Sequence, residues 1–215
     1  MEGFGNGRRK YGVKGEKGMR DFMKKVMTDR RPVLLSIGIY TMVCLVTVLS
    51  AWIIDLHRYD LGQTISAYVG YRKWTAGLYF VCITVMLVLL WTYVHRLNIR
   101  LPKKLVYYLV FLSVWGCAIF PSNREWSRTI SNIHLRCAYT FMFSASFSFL
   151  LTAIWAKRKA QKIFAAAVFV YAVFFILALL VMKWSWFTGT IFFWENLCIY
   201  LVLIELFLEK PHDKK

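Results

Sequence analysis

The sequence predicts an all-α fold, a polytopic bundle of six transmembrane helices with both termini in the cytoplasm. Three observations carry that prediction. Six long apolar runs fill most of the 215 residues, and 59% of all residues are hydrophobic. About 20 apolar residues cross the hydrocarbon core of a bilayer, and in lipid a helix satisfies its own backbone polar groups. Finally, the breaks between the runs alternate between Lys/Arg-rich and Lys/Arg-poor.

The predicted spans are Val33–Ile54, Trp74–Val94, Leu105–Phe120, Leu135–Ala156, Ile163–Met182 and Phe187–Leu208. The third is the short one, at 16 residues, and must tilt little or borrow flanking turns. Trp and Tyr favour the headgroup level, and Trp52, Trp74, Trp91, Trp126, Trp155, Trp184 and Trp186, with Tyr59, stand near the predicted span ends. Residues 1–16 are rich in Gly and Lys and predict a disordered basic tail. In residues 17–31, Met19, Phe22, Met23, Val26 and Met27 recur at helical spacing opposite Arg20, Lys24 and Lys25, which predicts an amphipathic interfacial helix ending at Pro32. Residues 32–209 form the six-helix domain and 210–215 a short cytoplasmic tail.

Cytoplasmic segments retain Lys and Arg, so their placement sets orientation. Ten precede the first span, four lie in the second break, four in the fourth and three after the last span: 21 of the 28. The opposite side holds Arg58, Arg72, Lys73, Arg124, Arg128, Arg136 and Lys183. The net charge of +17 therefore reads as membrane orientation and attraction to anionic headgroups rather than nucleic-acid binding. The first run begins after residue 30, is too long for a signal-peptide core and lacks a small-residue cleavage site, so it reads as a retained span. Cys44, Cys82, Cys117, Cys137 and Cys198 all fall inside spans without a CxxC spacing, and they read as packing thiols.

Ionisable groups inside hydrocarbon are costly and mark candidate sites. Glu195 is the sharpest, about 12 Å below the outer end of its span at 1.5 Å per residue. Asn196 follows it. Glu205 lies near the cytoplasmic end, where reaching headgroups or pairing with Lys210 is expected. His134 opens the fourth span outside, flanked by Asn132 and Arg136, while Asp55, Asp60 and Ser66 approach the same surface. A polar pocket opening outward is expected from Ser66, Asn132, His134, Arg136, Glu195 and Asn196, with Arg128 a phosphate-binding candidate and Glu195 accepting from His134, Arg136 or Arg128. Ser66, His134 and a carboxylate would make a nucleophilic set, but no nucleophile elbow accompanies them, and no catalytic residues are assigned. His57 and His134 alone supply too few outer ligands for zinc, so neither metal nor cofactor is expected. The bland alternative is a polar network that fixes helix packing, with Gly77, Ala138, Ser144, Ser146 and Ser148 allowing close contacts.

The stretch Gly62-Gln63-Thr64-Ile65-Ser66-Ala67-Tyr68-Val69-Gly70 resembles the serine-containing entry motif of the damage-regulated autophagy modulator (DRAM) family. That family includes the fibroblast-growth-factor-receptor-activating protein and the remodelling factor for GPI-anchor lipids. Phe120-Pro121 followed by Ile133-His134 and Ala138 looks like its second signature, and Trp194-Glu195-Asn196 resembles the Glu-aromatic pair of its last helix. Here the aromatic precedes Glu195, and Tyr71-Arg72-Lys73-Trp74 stands where animal members are Pro-rich, so an autophagy role is not carried over. The likeness spans residues 35–208. It implies six membrane helices and a role in lipid handling or membrane signalling, with Ser66, His134 and Glu195 at the matching positions.

The expected function is binding or organising membrane lipid through the outer pocket, without an assigned reaction. A proton- or ion-coupled transporter or channel using Glu195 is the alternative, although no midspan Pro breaks the runs. A non-catalytic scaffold is the third, with a protein partner on the basic N-terminal tail. Short loops and the strong charge bias suit a microbial plasma membrane, with a eukaryotic endomembrane second.

Overall fold

The computed structural model describes residues 28–54, 69, 73–121, 127–178 and 191–209. Its six helices are α1 (Arg31–Ile54), α2 (Lys73–Arg96), α3 (Leu101–Ile119), α4 (Arg128–Trp155), α5 (Lys159–Leu177) and α6 (Ile191–Leu208), and no strand occurs among the described residues. Each of the six apolar runs holds one helix. The predicted tails 1–16 and 210–215 lie outside the described residues, as does nearly all of the amphipathic segment 17–31.

Local chemistry sets the ends. Pro32 and Pro102 sit in the first turns of α1 and α3, where a missing N–H costs nothing because those donors have no helical partner. The third helix thereby gains a polar first turn and reaches 19 residues, longer than its apolar run. Pro121 stops it, since the residue before proline is driven out of the α region. Phe120 accordingly has φ −111° and ψ 77°. The fourth helix starts seven residues before its apolar run because the Ser127 side chain accepts from the Ile130 N–H at 3.4 Å and caps it.

Consecutive helices pack as neighbours, and α6 closes the bundle against α1, α4 and α5. The N-termini of α1, α3 and α5 gather with the C-termini of α2, α4 and α6. Arg30 lies over the Phe207 ring at 4.6 Å, Arg100 over Trp155 at 4.9 Å, and Tyr93 reaches the Leu206 and Glu209 carbonyls at 3.3 Å each. Ten described Lys and Arg residues cluster at this end or beside it; Lys73, Arg128 and Arg136 stand at the other.

Tyr40, Ile83, Met86, Leu90, Tyr107, Leu203 and Leu206 fill the core. The outward faces are also apolar: Met42, Ile53, Val81, Val88, Leu112 and Val170 are all exposed. Helices apolar all round belong in lipid or a large core, and a bundle of this size has only lipid to offer. Helices α1, α2, α4 and α5 are long and apolar enough to cross a membrane. Of the other two helices, α3 carries Lys103 and Lys104 in its first turn and α6 carries Glu195 and Glu205.

Candidate functional site

At the end of the bundle away from the Lys/Arg cluster, α3 and α4 approach closely. A Cβ added at Gly116 would meet Cys137 Sγ at 2.6 Å and Cys137 Cβ at 3.3 Å. Gly77, expected to allow such a contact, has open space around its Cα and does not perform that task. The close approach brings His134 onto the C-terminus of α3. Its Nδ1 lies 2.7 Å from the Phe120 carbonyl and 3.2 Å from that of Cys117. Carbonyls only accept, so Nδ1 carries the hydrogen and donates. Helix ends leave their last carbonyls unsatisfied, and a ring N–H from the neighbouring helix is the remedy where water is scarce. The side chain is 5% exposed.

The other outer-end residues divide by face. Arg128, Asn132 and Arg136 recur every four residues and are all exposed, so they form one outward stripe on α4. His134, two positions from Asn132, points into the bundle. The structure therefore parts the imidazole from the two guanidinium-bearing positions rather than joining them around one recess. Ser66, with Asp55, His57 and Asp60, lies outside the described residues.

Glu195 and Asn196 belong to an interior network between α6 and α1. Asn196 Oδ1 accepts from Tyr40 Oη at 2.7 Å and from Cys44 Sγ at 3.4 Å. Thr41 Oγ1 and Tyr200 Oη are 2.8 Å apart, and Tyr200 meets Tyr40 edge-on at 5.3 Å. The half-buried Glu195 interacts electrostatically with Tyr40, Tyr79, Cys44, Cys198 and Cys117. Cys117 meets His134 twice, its thiol at 3.9 Å from the His134 carbonyl and its own carbonyl at 3.2 Å from the ring. On the outer surface of α2 and α3, a groove of about 280 Å³ is lined by Leu87, Val88, Trp91, Phe111, Leu112 and Trp115 with two threonines. Its chemistry suits a hydrocarbon chain.

A second polar cluster, which the sequence reading did not assemble, lies at the Lys/Arg-rich end. Lys103 of α3 donates to Glu209 and stands 3.5 Å from Glu205 Oε1. Glu205 is also in hydrogen-bond contact with Ser148 Oγ, at 2.8 Å, and with Thr152 Oγ1. Gln161 Nε2 donates to Glu209 Oε1 at 3.0 Å. Lys103, Glu205 and Glu209 are 4%, 0% and 9% exposed. Glu205 is therefore interior, not the headgroup anchor the sequence suggests. One signal could have found the cluster. Glu205 and Glu209 share a face at the C-terminal end of α6, and Lys103 opens α3. All three oppose their helix dipoles, which favours mutual pairing over separate exposure.

No family model matches this chain, nor does any curated protein or solved structure.

Proposed function

We propose that this chain is a six-span integral membrane protein, both termini cytoplasmic, that binds and organises phospholipid at its extracytoplasmic rim. The observation that carries the reading is the exposed Arg128–Asn132–Arg136 stripe at the outer end of α4. Guanidinium groups present forked donors that match phosphate, and this stripe occupies headgroup depth if α4 crosses the bilayer. The apolar groove on α2 and α3 supports the same reading by offering a bed for an acyl chain. The resemblance of the Ser66, Phe120–His134 and Glu195 segments to the DRAM family adds lipid handling as the shared theme. In this reading His134, Glu195 and Asn196 hold the helices that present the stripe. A microbial plasma membrane suits the charge bias, and the basic N-terminal tail offers a surface to anionic lipid or a protein partner.

Native mass spectrometry of the full chain, released from bilayers containing phosphatidylglycerol, tests the proposal. Arg128→Gln with Arg136→Gln should lower retained anionic lipid several-fold while leaving helical content intact. Retention equal to wild type would remove the stripe from the account.

One observation favours a second reading, a proton- or ion-coupled transporter. Glu195 is a half-buried carboxylate within α6, next to the Asn196 that accepts from Tyr40 of α1. Intramembrane carboxylates of this kind mark ion pathways. Proton flux into liposomes that disappears in Glu195→Gln would put this reading first.

A further inference from the structure

We propose that the Lys103–Glu205–Glu209 cluster is a proton-binding site, with the exchangeable proton held on Glu205 and Glu209 serving as the ionised partner of Lys103. Counting hydrogens leads there. Ser148 Oγ lies 2.8 Å from its own helix's Ala145 carbonyl and 2.8 Å from Glu205 Oε2. Thr152 Oγ1 lies 3.0 Å from the Ser148 carbonyl and contacts Glu205 Oε1. A hydroxyl owns one hydrogen, a main-chain carbonyl none, and an ionised carboxylate none. With Glu205 ionised, these four contacts share two hydrogens. A carboxyl proton supplies a third, donated from Glu205 to a hydroxyl whose own hydrogen goes to the backbone.

Charge agrees with the hydrogen count. One ammonium and two carboxylates leave an excess anion in a site where the lysine and Glu205 are almost wholly enclosed. A buried unpaired charge is costly, and binding one proton makes the cluster neutral. Donor placement decides which carboxyl takes it. Glu209 receives both Lys103 and Gln161, whereas Lys103 stands off Glu205 at 3.5 Å. Glu209 is also nearer the surface, one helical turn closer to the end of α6, so it lies between Glu205 and the aqueous side.

Every neighbouring element contributes a facing group. These are Lys103 and Tyr107 from α3, Tyr93 from α2, Ser148 and Thr152 from α4, and Gln161 from α5. Ahead of α1, Arg30 and Asp29 act on Tyr93. The Tyr107 hydroxyl is buried beside Glu205 and Thr152 and feels both carboxylates. Proton binding and release, an exchange between water and the Glu205 carboxyl, therefore bears on five helices at once.

Infrared difference spectroscopy of the full chain in lipid nanodiscs, titrated with acid and base, tests this. Wild type should show a protonated-carboxyl C=O band that shifts in D2O and disappears in Glu205→Gln, whereas Glu209→Gln, which removes the excess anion and leaves Lys103 to Glu205, should keep the band but only at more acid pH. A Glu205→Gln spectrum superimposable on wild type in that region would overturn the proposal. Should Glu205→Gln fail to fold, Ser148→Ala gives the answer. Removing one hydrogen-bond partner should move the band to higher frequency, and an unmoved band would place the proton elsewhere and refute the assignment.

Discussion

His134 shows how one residue can satisfy a helix end that the membrane would otherwise leave stranded. Its Nδ1–H is shared between the Phe120 and Cys117 carbonyls. His134→Ala orphans both, and a buried acceptor stripped of its donor costs about 1–3 kcal/mol. Thermal unfolding in nanodiscs should register that loss, while His134→Gln, which keeps an N–H donor, should recover part of it. Equal stability of wild type and His134→Ala would mean that the bond contributes nothing. The Tyr40–Asn196 contact, at 2.7 Å between α1 and α6, is the comparable case deeper in the bundle. Interhelical hydrogen bonds in membranes average about 0.6 kcal/mol, because a membrane-embedded unfolded state finds partners too. A double-mutant cycle with Tyr40→Phe and Asn196→Ala should return a coupling of about that size, clearly below the cost of losing His134. The sequence marks His134 and Asn196 as polar residues that are costly in hydrocarbon. It could not say that the imidazole serves a helix end, because that depends on where the neighbouring helix stops.

At the scale of helices, hydropathy displayed all six elements, since each apolar run has to be long enough to matter in lipid. Their boundaries were less visible. The first two turns of α4 carry Arg128 and Asn132 on the outward face, so an apolar window begins too late although the helix is already capped at Ser127. Close packing was equally hard to read, because small residues are common in membrane helices and only some face a neighbour. Gly77 faces open space, whereas Gly116 faces Cys137. Replacing Gly by Ala in a helix gains about 0.5–1 kcal/mol of intrinsic preference. Gly77→Ala should therefore stabilise by roughly that amount. Gly116→Ala should instead lose stability or break even, because the Cys137 side chain must swing aside and its Cβ must yield. Combining Gly116→Ala with Cys137→Ala removes the sulfur and should recover the difference. Denaturation midpoints of the four proteins decide the matter, and equal responses at the two glycines would contradict the α3–α4 contact.

For the whole molecule, charge placement carries two kinds of information that look alike in a sequence. Most of the described basic residues at the Lys/Arg-rich end are exposed. Lys103 lies in the same stretch, beside the half-buried Lys104 whose Nζ donates to the His95 carbonyl at 3.2 Å, yet it is buried against two carboxylates contributed about a hundred residues later. Nothing local separates those two lysines; only the meeting of α3 with α6 does. The distinction has an energetic consequence. Lys104→Met should be nearly neutral for folding, since its ammonium meets only a solvent-exposed carbonyl and surface contacts of a charge contribute about 0–1 kcal/mol. Lys103→Met leaves Glu209 without its ammonium, and breaking one side of a buried pair costs about 3–5 kcal/mol. Replacing the whole set by Lys103→Met with Glu205→Gln and Glu209→Gln removes the excess charge along with its partner. That triple variant should regain most of the lost stability, because similar-sized neutral groups often do as well as a buried pair. If the single Lys103 substitution proves as harmless as the one at Lys104, the cluster does not tie the bundle together. If the triple variant is no better than Lys103→Met, the damage comes from lost packing rather than from stranded charge.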